Sequence, residues 1–134
     1  MGGSKKPFTR EDVDKEEMYL KMKKGATLFV KAVQGMSESA TMFLQHLDLD
    51  IRDIHWLVPH QANLLLIEEV CKRLNFPLEK TMQTVKQWGN TSGSTTGLAL
   101  EYLLKNYPVQ PHDKVLMISA GGGGLASCVL LEVL

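Results

Sequence analysis

The sequence predicts an α/β fold with helices layered on a sheet. Two observations carry this. Apolar residues recur at three- and four-residue steps in several segments, which marks amphipathic helices. Between those segments lie short apolar runs with the length and composition of buried strands. The order along the chain reads helix, strand, helix, helix, strand, strand, which suits helices packed on one sheet.

The elements follow in order. Residues 1–24 are polar and charged, with Phe8, Val13, Met18 and Tyr19 as the few anchors, and read as a surface arm or irregular loop. Residues 25–134 read as the folded domain. From Ala26 to Leu47, the positions Leu28, Phe29, Ala32, Val33, Met36, Ala40, Phe43, Leu44 and Leu47 form one helical stripe. Gly35 inside it costs about 1 kcal/mol relative to Ala and reads as a close-packing site. Ile54–Val58 reads as a buried strand stopped by Pro59. Gln61–Leu74 reads as a second helix ended by Asn75 and Pro77. Thr81–Trp88 reads as a short extended piece. Gly89–Gly93 makes a turn whose Asn, Thr or Ser can cap a helix to about Lys105, with Leu98, Tyr102 and Leu103 inward. Lys114–Ser119 and Ser127–Leu134 read as adjacent strands joined through four glycines. Three strands are few for a sheet, and the last two are apolar on both faces. Sheet faces or edges are therefore expected to need a partner.

Composition excludes several classes. The chain has 134 residues, which suits one domain. Lys+Arg 15 against Asp+Glu 15 gives a net charge of +0, so no basic excess points to nucleic acid. Hydrophobic residues are 44% and charged residues 22%, the balance of a globular domain and not of a disordered one. The apolar runs fall far short of the roughly 20 residues of a membrane helix, and the polar start is not a secretory signal. Cys71 and Cys128 do not make a disulfide scaffold, so a cytoplasmic setting is expected.

Three segments could carry chemistry. In Val58-Pro59-His60-Gln61-Ala62-Asn63, the histidine follows a strand end near a helix N-terminus, where the dipole disfavours imidazolium. A neutral imidazole there either donates to a ligand carbonyl or merely hydrogen-bonds the turn. In Gly89-Asn90-Thr91-Ser92-Gly93-Ser94, the Asn amide is either a pH-independent donor pair or a turn cap. In Gly121–Gly124, backbone N–H groups either approach a ligand as part of an oxyanion hole or simply form a hairpin-like turn. The loop is not a phosphate loop, since no GxxxxGK[ST] is present. His46, His55 and His112 lack partners at metal spacing, so no metal site is expected. Cys71 and Cys128 read as packing residues.

Taken together and in order, Trp56–Asn63, Gly89-Asn90-Thr91-Ser92 and the Gly122–Gly124 loop before a terminal strand resemble the C-terminal half of β-ketoacyl-acyl carrier protein synthase III. The resemblance runs from about Gly25 to Leu134 and implies half of a thiolase-like αβαβα fold. It implies a decarboxylative Claisen condensation in fatty acid or related lipid or polyketide synthesis. His60 and Asn90 would hold the malonyl thioester carbonyl, and Gly123 would give an oxyanion-hole N–H. Gln61, Asn63 and Gly122 would border the substrate.

The substrates implied are an acyl-CoA and malonyl-acyl carrier protein, with no further cofactor. The partners implied are a half carrying the nucleophilic Cys, an acyl carrier protein docking at Lys72 and Arg73, and a second copy in a homo-oligomer. By this match neither Cys71 nor Cys128 is the nucleophile, so the chain alone is expected to be inactive. The alternative is a non-catalytic scaffold subunit that pairs with a Cys-bearing half. The sequence departs from the family pattern at Leu65, where a basic residue is frequent, at Trp88, where His is frequent, and at Gly121 and Leu125, where aromatics are frequent. Leu65 bears on carrier-protein docking, and the other positions bear on acyl-chain length and substrate identity.

Overall fold

A computed structural model describes residues 7–15 and 25–134. Most of the expected N-terminal arm, residues 1–6 and 16–24, lies outside the described residues. Within it, Arg10–Asp14 forms a short exposed helix (α1), not irregular loop. The reason is local: the Thr9 hydroxyl accepts from Asp12 N–H, and the Asp12 carboxylate accepts from Thr9 N–H, a reciprocal capping box.

The described residues form a three-stranded mixed sheet with helices on both faces. β1 (Trp56–Pro59) runs parallel to β2 (Lys114–Ala120), and β2 pairs antiparallel with β3 (Ala126–Glu132). The register places Leu57 beside Leu116 and Ile118 beside Cys128. Successive strand residues point to opposite faces. Leu57, Leu116 and Ile118 therefore pack with Val33, Met36, Ile67 and Val70 of the helices α2 (Gly25–His46) and α3 (Leu64–Leu74). Val58 and Val115 pack on the other face with Ala99 and Leu103 of helix α5 (Thr95–Asn106). Both faces of β1 and β2 are covered, which is why their sequences lack apolar–polar alternation.

Several expectations change in three dimensions. The expected helix at Gln61 begins only at Leu64, because the Asn63 side chain accepts the Leu66 N–H at 2.8 Å and caps it there. Its end at Asn75 holds: Asn75 adopts the left-handed conformation, φ 52°, and its N–H turns back to Cys71 and Lys72 carbonyls. The expected extended piece at 81–88 is extended only at Thr81, which bridges to Leu57, and at Met82, whose N–H donates to Leu57 at 2.9 Å. Val85–Trp88 then coil into one helical turn (α4).

α5 starts without a side-chain cap, since the Ser94 hydroxyl donates back to Thr91 instead. Its buried line is Thr95, Ala99 and Leu103; Leu98 and Tyr102 only flank it. A residue as small as Ala99 lets the helix approach the sheet closely. Gly35 in α2 is not a forced glycine: a methyl group there would meet the Ala126 Cβ at 3.6 Å, an ordinary contact.

Candidate active site

The three sequence segments meet at the carboxyl ends of the parallel strands, where open α/β sheets place their ligands. His60 extends β1 by one more bond, its N–H donating to the Ile118 carbonyl at 2.8 Å. The glycine segment follows β2 directly: Gly122–Gly124 form a tight turn between β2 and β3, and the Gly121 N–H closes it on the Leu125 carbonyl at 2.8 Å. Gly124 has φ 77°, the left-handed region that glycine occupies without penalty. Gly123 lies in the middle of that turn.

The Gly89–Ser94 segment is a strained turn. Gly89 sits at φ 66°, ψ −160°, a conformation open to glycine, and Ser92 at φ 59° is left-handed without being glycine. The turn is held by the Asn90 Oδ1, which accepts the Ser92 N–H at 2.9 Å. Only the oxygen of the Asn90 amide is engaged; its Nδ2 makes no hydrogen bond among the described residues. That leaves two donors available.

His60, Asn90, Asn63, Ser119, Gly121 and Gly122 border one cavity of about 510 Å³. The rest of its wall is mainly apolar, with Leu28, Phe29 and Ala32 from α2 and Leu66 from α3. Few polar groups over an apolar wall is the usual composition of a small-molecule site. Burial pushes His60 below the ordinary imidazole range, so the ring is neutral at neutral pH. The cause is loss of solvent, whereas the sequence had suggested a helix dipole; α3 starts beyond His60.

The other sequence candidates fall into distinct places. Gln61 is buried, 1% exposed, and does not line the cavity. Its Nε2 donates to the carbonyls of Pro59 at 2.7 Å and Met82 at 3.0 Å, and its Oε1 accepts from Val85 N–H at 3.1 Å. Both its donors are spent inside the chain, so Gln61 braces the loop that carries His60. Asn63 both caps α3 and borders the cavity. Lys72 and Arg73 are exposed on the last turn of α3 and form no ion pair among the described residues.

Both cysteines are free. Cys71 is buried with its Sγ 3.3 Å from the Thr81 hydroxyl, and burial pushes both thiols up. That is the opposite of an activated nucleophile. Among the described residues, no three His, Cys, Asp or Glu side chains are grouped to hold a metal ion. No helix among them is long and apolar enough to cross a membrane. Sequence reasoning missed Thr95, whose hydroxyl lies 2.6 Å from His60 Nδ1.

Residues 44–133 match the family described as 3-oxoacyl-[acyl-carrier-protein (ACP)] synthase III C terminal. The chain belongs to this family. A 3-oxopimeloyl-[acyl-carrier-protein] synthase of Rhodothermus marinus is 40% identical over 131 residues, which are 98% of this chain and 38% of that protein. A β-ketoacyl-[acyl-carrier-protein] synthase III of Wolbachia pipientis wMel is 41% identical over 108 residues, 81% of this chain and 34% of that protein. Among solved structures, the 3-oxoacyl-[acyl-carrier-protein] synthase III of Aquifex aeolicus VF5 superposes with a TM-score of 0.79 at 35% identity, covering 85% of this chain and 37% of that one. The chain thus spans well under half the length of these relatives. Its incomplete sheet is a part of their thiolase-like fold.

Proposed function

We propose that this chain is the C-terminal catalytic half of a β-ketoacyl-acyl carrier protein synthase III, an acyltransferase, and supplies the groups that drive decarboxylation of a malonyl thioester. One observation carries the reading. His60 and Asn90 border one cavity, and each keeps a nitrogen, Nε2 and Nδ2, with no protein partner among the described residues. Two neutral donors beside an apolar wall suit a thioester carbonyl that becomes an enolate oxygen.

In the reaction the bond between the malonyl carboxylate and its α-carbon breaks. The electron pair moves onto the thioester oxygen facing His60 and Asn90, and CO₂ leaves. The enolate carbon then forms a bond to an acyl group held on a cysteine, and that carbon–sulfur bond breaks with release of the thiolate. The backbone N–H of Gly123 would serve the oxyanion of that second step. Gly122 and Asn63 border the substrate, while Gln61 holds the loop that carries His60.

The cysteine belongs to a separate half in this reading. Support comes from the raised pKa of Cys71 and Cys128 and from the share of the relatives' length that this chain spans. The chain alone is therefore inactive in this proposal, and works in a homo-oligomer of complete enzymes in the cytoplasm. Malonyl-acyl carrier protein and an acyl-CoA are the substrates, and no further cofactor is needed. Lys72 and Arg73, exposed and without an ion pair among the described residues, offer a docking point for an acidic carrier protein.

The test is CO₂ release from malonyl-acyl carrier protein by the chain assembled with a Cys-bearing half. Replacing His60 or Asn90 by Ala is expected to lower turnover by about 10²-fold or more. Unchanged turnover in the double variant would favour a scaffold subunit that keeps the fold without the reaction.

A further inference from the structure

We propose that Thr95 is a positioning residue that holds His60 in the tautomer protonated on Nε2, the form that donates into the cavity. The inference rests on the role proposed above for His60 and adds the residue that sets its proton. The His60 backbone is fixed by its bond to Ile118, so the ring is presented from a strand end. Its Nδ1 lies 2.6 Å from the Thr95 hydroxyl oxygen. Distance alone does not say which atom donates, because a neutral imidazole carries one proton and a hydroxyl can give or accept.

The surroundings of Thr95 decide it. The side chain is 2% exposed, so water does not serve its hydroxyl freely. A threonine at the start of a helix commonly turns its proton to a carbonyl of the preceding turn. Here Thr95 Oγ1 makes no such bond: its one hydrogen bond among the described residues is the one to His60. Among the described residues the buried proton of Thr95 therefore has one acceptor, His60 Nδ1. An imidazole protonated on Nδ1 would leave that proton unmet, which buried donors rarely tolerate. With Nδ1 accepting, a neutral ring must carry its proton on Nε2. The resulting bias is on the order of tenfold or more in tautomer ratio.

Nuclear magnetic resonance of the full chain with ¹⁵N-labelled histidine tests this directly above neutral pH. The His60 signals are assigned by their absence from His60→Gln. Nδ1 is expected to read as the bare nitrogen and Nε2 as the protonated one. Thr95→Ser, which keeps the hydroxyl, is expected to retain that pattern. Thr95→Val, nearly the same shape without a donor, is expected to shift it toward an averaged mixture. A wild-type spectrum with the proton on Nδ1 overturns the inference without any variant having to fold, and so does an unchanged ratio in folded Thr95→Val. The spectrum needs no substrate. A chain that shows the Nε2–H tautomer but releases no CO₂ in the assembled enzyme overturns the functional reading and leaves this one standing.

Discussion

The Gln61 side-chain amide donates to the Met82 carbonyl at 3.0 Å, tying the loop that carries His60 to the segment that leads to Asn90. The same amide holds Pro59 and Val85, so one buried side chain joins both halves of the cavity rim. Gln61→Leu keeps the bulk and removes every one of these bonds. It is expected to destabilise the chain by roughly 2–4 kcal/mol, since two carbonyls and an N–H lose their partner in the interior. Urea unfolding measures this, and a shift in midpoint too small to resolve would show that water replaces the amide.

His60 couples stability to pH. Its native pKa is depressed by burial, while the unfolded chain takes up the proton at about 6.5. Between the depressed native value and about 6.5 the unfolded state binds more protons, so stability falls as pH falls through that window. Above it the contribution is flat. Urea midpoints at about pH 7.5 and about pH 5.5 are expected to differ more for wild type than for His60→Gln, which has no proton to bind. Equal differences would mean that His60 titrates alike in both states.

Gly35 offers a stabilising substitution. It lies in the middle of α2, where Gly costs about 1 kcal/mol relative to Ala. An added methyl meets Ala126 at an ordinary 3.6 Å. Gly35→Ala is therefore expected to raise the thermal midpoint by up to about 1 kcal/mol of stability. A lowered midpoint would mean that α2 and β3 sit closer than 3.6 Å allows.

The two neighbouring leucines of α5 are expected to behave differently. Leu103 is fully buried on the face against β1 and β2, and Leu104 is 52% exposed. Leu103→Ala should cost about 2–5 kcal/mol, and Leu104→Ala within about 0.5 kcal/mol. Comparable losses in thermal unfolding would place the helix face wrongly.

Local pattern carried the sequence reading a long way. The stripe from Phe29 to Leu44, the strands around Leu57, Leu116 and Cys128, and the αL stop at Asn75 all depend on residues a few positions apart. So do the turn at Gly89–Ser94 and the family motifs that flank His60 and Asn90. The misplaced pieces have a common cause. Thr81, Met82, Thr84 and Val85 suit a strand by composition, yet only Thr81 and Met82 find β1 to pair with, and the rest coil. In α5 the largest apolar residues drew the expected face toward Leu98 and Tyr102, while close approach to the sheet put Ala99 and Thr95 inside.

By itself, the sequence determined the main helices and strands, their order and the residue types gathered near the strand ends, because periodicity, capping and turn chemistry act over a few residues. Tertiary structure decided what each polar group does. Gln61 reaches Met82 and Val85, and His60 reaches Thr95, across stretches of chain in which no short-range pattern records the pairing. A hydrogen bond depends on distance in space and on which groups are left without water. Only the packed domain settles both, and among the described residues it leaves His60 Nε2 and Asn90 Nδ2 without a partner while spending Gln61 on the fold.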